Sequence, residues 1–285
     1  MNGMIISSTA VSKIAVLARA ARSGFAALLV VPLLFGCQTI QPASINDRQL
    51  YVFTSGGFNA AFDTLAARYQ AKTGTHIIIG HGPSMGETAN AIPTRLARRE
   101  SADVVILARS SLDRLAANGV IIKGTEIDLG LSRIAVAIKA GAPLPDIATA
   151  EALRATLLKA RSVAWSDSAS GVYIQSTMLD RLGIAAQILP KGRTIPATPV
   201  GEIVARGDAE IGFQQLSELK PVKGIRIVGL LPDNLQKVTA FSGGVVAYSA
   251  HQTQARALLS YLSSPKADAV IRASGLEPAS RRARK

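Results

Sequence analysis

Two Ser/Gly-rich elbows constrain this chain more than any other feature. The first, Gly80-His81-Gly82-Pro83-Ser84-Met85-Gly86-Glu87, follows an apolar strand-like run at residues 76–79 and precedes a polar, basic, helical segment. Gly82 and Gly86 let the backbone turn sharply and let a ligand come close. Ser84 adds a hydroxyl, and the amides after it open toward a helix start, where N–H groups lack partners and the dipole favours an anion. The second elbow is Ser166-Asp167-Ser168-Ala169-Ser170-Gly171-Val172-Tyr173. There Ser168, Ser170 and the amides of Gly171, Val172 and Tyr173 form another helix-opening nest. The two read as jaws of one anion clamp.

The surrounding pattern is α/β. Residues 50–53 are a short β run, Thr54-Ser55-Gly56-Gly57 is the turn behind it, and Phe58, Ala61, Phe62, Leu65 and Tyr69 recur at helical spacing, with Gly74 as the stop. This unit puts the amides of Ser55, Gly56 and Gly57 at a helix N-terminus, ready to meet an oxyanion. A tight βα turn that needs only small residues explains them equally well. Pro93 disfavours α conformation at Ile92 and is expected to open the next helix. Arg95 follows in it, either on a solvated face or turned into the cleft as a counter-charge. Residues 132–139 read as one long strand crossing between lobes. Glu210 to Phe213 read as a strand with Gln214 and Gln215 at its carboxyl end, where ligands gather in open α/β sheets. Residues 237–248 are long enough to return. Two α/β lobes follow, with residues 50–130 plus 250–279 in lobe 1 and 131–249 in lobe 2, and a cleft lined by helix N-termini.

The formal charge of +13 on 285 residues looks like a nucleic-acid signal until it is located. Lys13, Arg19 and Arg22 lie in the N-terminal stretch, and Arg281, Arg282, Arg284 and Lys285 make a basic tail at 280–285, which leaves +6 on the body. No zinc-finger spacing or aromatic-basic motif accompanies that charge, so a small anionic ligand is expected and nucleic acid is not. His76, His81 and His251 lack metal-ligand spacing, and no metal site is expected. No phosphate loop or dinucleotide fingerprint occurs, and no cofactor is implied. Residues 1–36 read as an export signal: a basic start without acidic residues, then an apolar run at 25–35 too short for a confident membrane span. Leu34-Phe35-Gly36-Cys37 resembles a lipobox, which makes Cys37 the first mature residue and a lipidation site, followed by a polar tether at 37–49. Cys37 is the only cysteine, so an intrachain disulfide is impossible.

Several blocks resemble the periplasmic molybdate-binding proteins of ABC importers, which are type II solute-binding proteins. They are Tyr51-Val52-Phe53 with its turn, the Ser84 loop, Ala102-Asp103-Val104-Val105, Gly171-Val172-Tyr173 and residues 200–212. The resemblance covers residues 50–278 and implies a two-lobed periplasmic-binding-protein-like fold whose cleft holds an anion through serine hydroxyls and amides. Its ligand positions fall at Gly57, Ser84, Ser170, Val200 and Gln215. Gly57 replaces a ligand serine and Gln215 a tyrosine, which points away from molybdate. Longer blocks are similar to the aconitate isomerase subgroup: Pro83-Ser84-Met85-Gly86, Ala91-Ile92-Pro93, Arg95-Leu96-Ala97-Arg98, the whole second elbow, Pro199-Val200-Gly201, and Gly212-Phe213-Gln214-Gln215-Leu216-Ser217-Glu218-Leu219.

The expected ligand contacts are therefore Ser55, Gly56, Gly57, Ser84, Met85, Ser170, Gly171, Val172, Tyr173, Val200 and Gln215. The favoured expectation is a monomeric, periplasmic, lipid-anchored receptor that clamps a small organic polycarboxylate for an ABC permease. The alternative is an aconitate isomerase, which shifts an allylic proton and needs a base near the methylene carbon. For that chemistry Asp167 is the favoured base, with Tyr173 and Glu202 as the others, and Arg95 and Arg193 as charge partners.

Overall fold

The computed structural model describes residues 49–280, and the expected signal peptide, Cys37 and basic tail lie outside them. Two sheets, each covered by helices on both faces, divide the described chain into two lobes. The first lobe is built from β1 (Gln49–Thr54), α1 (Gly56–Thr73), β2 (His76–His81), α2 (Ile92–Ala97), β3 (Val104–Ala108), α3 (Arg109–Ala117) and β4 (Ile127–Ser132). The second lobe carries β5 (Ile134–Lys139), α4 (Ala150–Lys159), β6 (Val163–Ser166), α5 (Ala169–Tyr173), α6 (Leu179–Arg181), α7 (Ala185–Ile188), β7 (Gly192–Ile195), α8 (Val200–Arg206), β8 (Ile211–Gln215), α9 (Leu216–Leu219) and β9 (Ile225–Leu230). The chain then returns through β10 (Thr239–Val245), α10 (Gln252–Leu262), α11 (Asp268–Ala273) and β11 (Glu277–Pro278). Sheet order is β11-β4-β10-β3-β1-β2 in one lobe and β7-β6-β8-β5-β9 in the other.

β1 runs parallel to both β2 and β3, so the connections pass over the sheet as βαβ units. α1 covers one face with Phe58, Phe62, Leu65 and Tyr69, which pack on Leu50, Val52 and Ile106 and on Leu258 of α10. Phe53, Val105 and Leu107 face the other way, onto Ile92, Leu96 and Leu112. Strands buried on both faces must be apolar throughout, and all of β3 is buried. The second sheet repeats the plan. Val136, Val163, Trp165 and Phe213 pack under Leu153, Ile174 and Met178, while Ala164 meets Val200 and Val204 of α8.

The expected crossing strand at 132–139 is β5 of the second sheet from Ile134 on, and only Ser132 belongs to β4 of the first sheet, with the chain changing sheets at Arg133. The change of sheet requires a break in the ladder, and the Gln236 side chain caps it. Its Oε1 accepts from the Ile134 N–H at 2.8 Å, and its Nε2 donates to the Ile134 carbonyl at 3.0 Å. Gln236 lies on the return segment, so one amide stitches both crossings together. β10 pairs with β3 and β4, which puts residues 239–249 with the first sheet rather than in a second lobe ending at 249. Pro93 stands in the first turn of α2, as its missing donor requires. No helix among the described residues is long and apolar enough to cross a membrane.

Candidate active site in the cleft between the lobes

The carboxyl ends of β1, β2, β6 and β8 converge on a cavity of about 280 Å³, at the small end of ligand pockets. One wall is the start of α1 with Ser55, Gly56, Gly57 and Asn59, joined by His81, Gly82, Pro83, Ser84 and Asn90. The other is the second elbow from Ser166 to Ser170, with Ile195, Ala197, Thr198, Pro199, Gln214, Gln215 and Glu218, and Phe241 at the return. No lysine or arginine is among these lining residues. An anion held here meets hydroxyls, amides and the N-terminus of the 18-residue α1, not a fixed cation.

Ser84 and Ser55 are locked to each other. The Ser84 hydroxyl donates to Ser55 Oγ at 2.7 Å and accepts the Ala108 N–H at 2.9 Å. Both serines are 1% exposed, so the pair is a buried piece of the wall whose orientation is fixed by β3. The residues after Ser84 form bends instead of a helix, because Gly86 sits at φ +94° and the Gly82 backbone lies too close to the Asn90 carbonyl for any side chain. The helix start expected there is displaced to Ile92, and this jaw contributes hydroxyl and loop groups only.

In the second elbow, Ser168 is the N-cap of α5, and Ser166 and Ser170 hold each other through their hydroxyls at 3.2 Å. α5 continues through a π-helical turn, Ile174–Met178, of the kind that often marks functional sites. Gly171 faces inward onto the Ser166 carbonyl, where a Cβ would lie only 1.6 Å from that oxygen, so its role is packing. Ala197 sits at φ +56° in the cavity wall, a left-handed conformation that costs a non-glycine residue free energy.

Several expected residues stand elsewhere. The Tyr173 hydroxyl donates to the Leu235 carbonyl at 2.8 Å and its ring is part of the second-lobe core, so it neither touches the cleft nor serves as a base. Val172 points outward, and with Met85 it borders a separate depression. Glu202 is exposed on α8 and remote from the cavity. The Val200 N–H is occupied by Gln214 Oε1 at 2.8 Å. Arg95 lies over the Phe53 ring at 3.6 Å and pairs with Glu100 at 2.7 Å, while Arg193 is exposed and bonds the Asp208 carbonyl. Neither arginine lines the cavity, because each is held by its own neighbours. Ser55, Gly56, Gly57, Ser84, Asp167, Ser170 and Gln215 are the expected residues that line the cavity.

Glycine at 57 has a physical reason here. A Cβ at that position would lie 2.0 Å from the Phe241 ring, so an apolar wall stands where a serine hydroxyl would. Gln215 donates through Nε2 to Thr239 Oγ1 at 3.1 Å, while its buried Oε1 has no partner.

Glu218 also lines the cavity, and the sequence did not single it out. It is the third residue of the short α9, where a glutamate reaches back to the backbone of the N-cap, Gln215. Gln214 Nε2 donates to its Oε1 at 3.1 Å. The carboxyl is enclosed by protein but still open to the cavity that it lines. Burial pushes its pKa up to about 7, the nearby Asp167 charge adds to the rise, and the hydrogen bonds from Gln214 and the Gln215 backbone oppose it. Burial also raises Asp167, which is half-buried. A signal for Glu218 was present, since it falls inside the Gly212-to-Leu219 block, but a glutamate three residues past a strand also reads as a helix cap.

The family model of the bacterial extracellular solute-binding proteins matches residues 50–277. An aconitate isomerase from a Pseudomonas species is 51% identical over 229 residues, covering 80% of this chain and 87% of that protein. The periplasmic molybdate-binding protein of Azotobacter vinelandii superposes with a TM-score of 0.64 at 22% identity, over 80% of this chain and 98% of its own. Peb3 from Campylobacter jejuni does so with a TM-score of 0.59 at 16% identity, over 80% and 99%. This chain, with two α/β lobes around a cavity of serine hydroxyls and a helix N-terminus, belongs to the bacterial extracellular solute-binding protein family.

Proposed function

We propose that this protein is an aconitate isomerase built on the solute-binding fold, interconverting cis- and trans-aconitate by an allylic proton shift. One observation carries the reading: among the described residues, the cradle is lined by two carboxyl groups, Asp167 and Glu218, and by no lysine or arginine. A receptor that only holds a polyanion is weakened by carboxylates in its cleft, since like charges repel. An isomerase needs one, because a proton must leave a carbon and return to another. The 51% identity to a protein named aconitate isomerase supports the same conclusion.

Ser55, oriented by the Ser84 hydroxyl, Ser170 and the α1 N-terminus hold substrate carboxylates, and the Phe241 ring faces the carbon skeleton. Removal of a methylene proton delocalises charge onto the adjacent carboxylate, where N–H and O–H donors stabilise it as it grows. Export and acylation at Cys37 would place this activity outside the cytoplasm. Purified protein is incubated with trans-aconitate, and the cis isomer is followed by chromatography. Binding without conversion would refute the enzyme in favour of a receptor for uptake. A rise in melting temperature with molybdate alone would refute both carboxylate readings.

A further inference from the structure

Resting on the isomerase reading, we propose that Glu218, not Asp167, is the catalytic residue that carries the proton between the two carbons of the substrate. The geometry singles it out. Glu218 Oε1 lies directly against the backbone of Gly56, where a Cβ would fall 2.0 Å from it. The carboxyl therefore occupies a notch at the opening of α1, on the line where the two lobes meet, and only glycine leaves that notch free. Gln214 fixes one oxygen, and Gln214 is itself fixed by the Val200 N–H, so the carboxyl is held by a chain of two hydrogen bonds. Ser217, the preceding residue, donates to the Gly57 carbonyl at 2.7 Å and pins α9 to α1 across the lobes. Among the described residues, no cation is bonded to Glu218. The other titratable groups lining the cavity are Asp167 and His81, and His81 is turned to Asp63 at 3.1 Å. Asp167 lies in the bend between β6 and α5 and borders Gly86.

The step balances without a co-reactant. The Glu218 carboxylate takes one methylene proton, and the C–H electron pair becomes a new C=C bond to the central carbon. The former π pair moves to the other terminal carbon, which receives the proton back from the Glu218 carboxylic acid. The substrate keeps its constitution and its charge, and Glu218 returns to its starting state. A carboxyl raised toward neutrality suits both halves of this exchange, since it binds and releases the proton with little bias.

The test follows conversion and deuterium entry into aconitate by proton NMR in D₂O, for the purified protein and for Glu218→Gln, Glu218→Asp, Asp167→Asn and Gly56→Ala. We expect Glu218→Gln to lower kcat by ~10²–10⁴-fold, with aconitate affinity by calorimetry changed less than about tenfold, and Glu218→Asp to recover part of the rate. Gly56→Ala displaces only the end of a flexible side chain, so it should fold and lower kcat with little change in KM. Asp167→Asn should lower kcat less than Glu218→Gln does. A Glu218→Gln protein that keeps turnover within about fivefold of the parent overturns the assignment while the isomerase reading stands, as does loss of turnover in Asp167→Asn alone. A parent protein that neither converts nor exchanges aconitate overturns the isomerase reading itself.

Discussion

Glu218→Gln should make the fold more stable, and only above a definite pH. The carboxyl ordinarily titrates near 4.5 and is pushed up to about 7 in the folded protein. Below 4.5 it is protonated in both folded and unfolded chains and contributes no difference. Between 4.5 and 7 the folded chain retains a proton that the unfolded chain has released, so stability falls as pH rises. Above 7 the whole cost is present, on the order of 3 kcal/mol for this displacement. The amide is isosteric and can still accept from Gln214 and from the Gln215 backbone, but it carries no charge to bury. Melting temperatures of the two proteins should therefore converge near pH 4.5 and separate with rising pH. At 2–4 °C per kcal/mol for a body of this size, the gap reaches about 6–12 °C at pH 8. Asp167 has the same sign of shift and its charge adds to that of Glu218, so both groups push the difference in the same direction. Scanning fluorimetry from pH 4.5 to 8.5 in a buffer series of constant ionic strength measures the gap. Parallel melting curves, or a gap that closes as pH rises, would refute the argument. A gap of the expected size, together with lost turnover, would mark Glu218 as a group kept for chemistry at the expense of stability.

Ser84→Ala removes the acceptor of the buried Ala108 N–H and the partner of Ser55, and should cost ~1–3 kcal/mol in urea unfolding and weaken aconitate binding about tenfold or more by calorimetry. Gly57→Ser drives a side chain into the Phe241 ring and should cost ~1–3 kcal/mol. Adding Phe241→Ala should restore part of that loss, and strictly additive effects in the double-mutant cycle would contradict the contact. Asp103 accepts from the Tyr51 N–H at 2.8 Å, the Ser249 hydroxyl at 2.6 Å and His251 Nδ1 at 3.2 Å. Asp103→Ala should therefore lower stability by ~3 kcal/mol or more, with aconitate affinity in the surviving folded fraction unchanged.

By itself the sequence determined the α/β class, the two lobes and most of one wall of the cleft, because those features are written in local patterns. Helical spacing from Phe58 to Tyr69, the apolar run at 104–108 and the Ser/Gly elbows each carry their meaning within about 20 residues. Tertiary structure decided which groups meet. Tyr173 and Val172 are adjacent in the second elbow, yet one side chain enters the core and the other faces solvent, since a helix turns about 100° per residue. Arg95 and Arg193 are drawn away by Glu100 and the Asp208 carbonyl, partners that no spacing reveals. The break at Arg133 was invisible because no glycine or proline stands between Ser132, the end of β4, and the apolar run that forms β5. Glu218 sits 162 positions after Gly56 in the chain, and only the approach of α9 to α1 brings its carboxyl into the notch that the glycine leaves. Burial there, a property of the assembled lobes and not of any neighbouring residue, is what turns an ordinary helix-capping glutamate into an acid that titrates near neutrality.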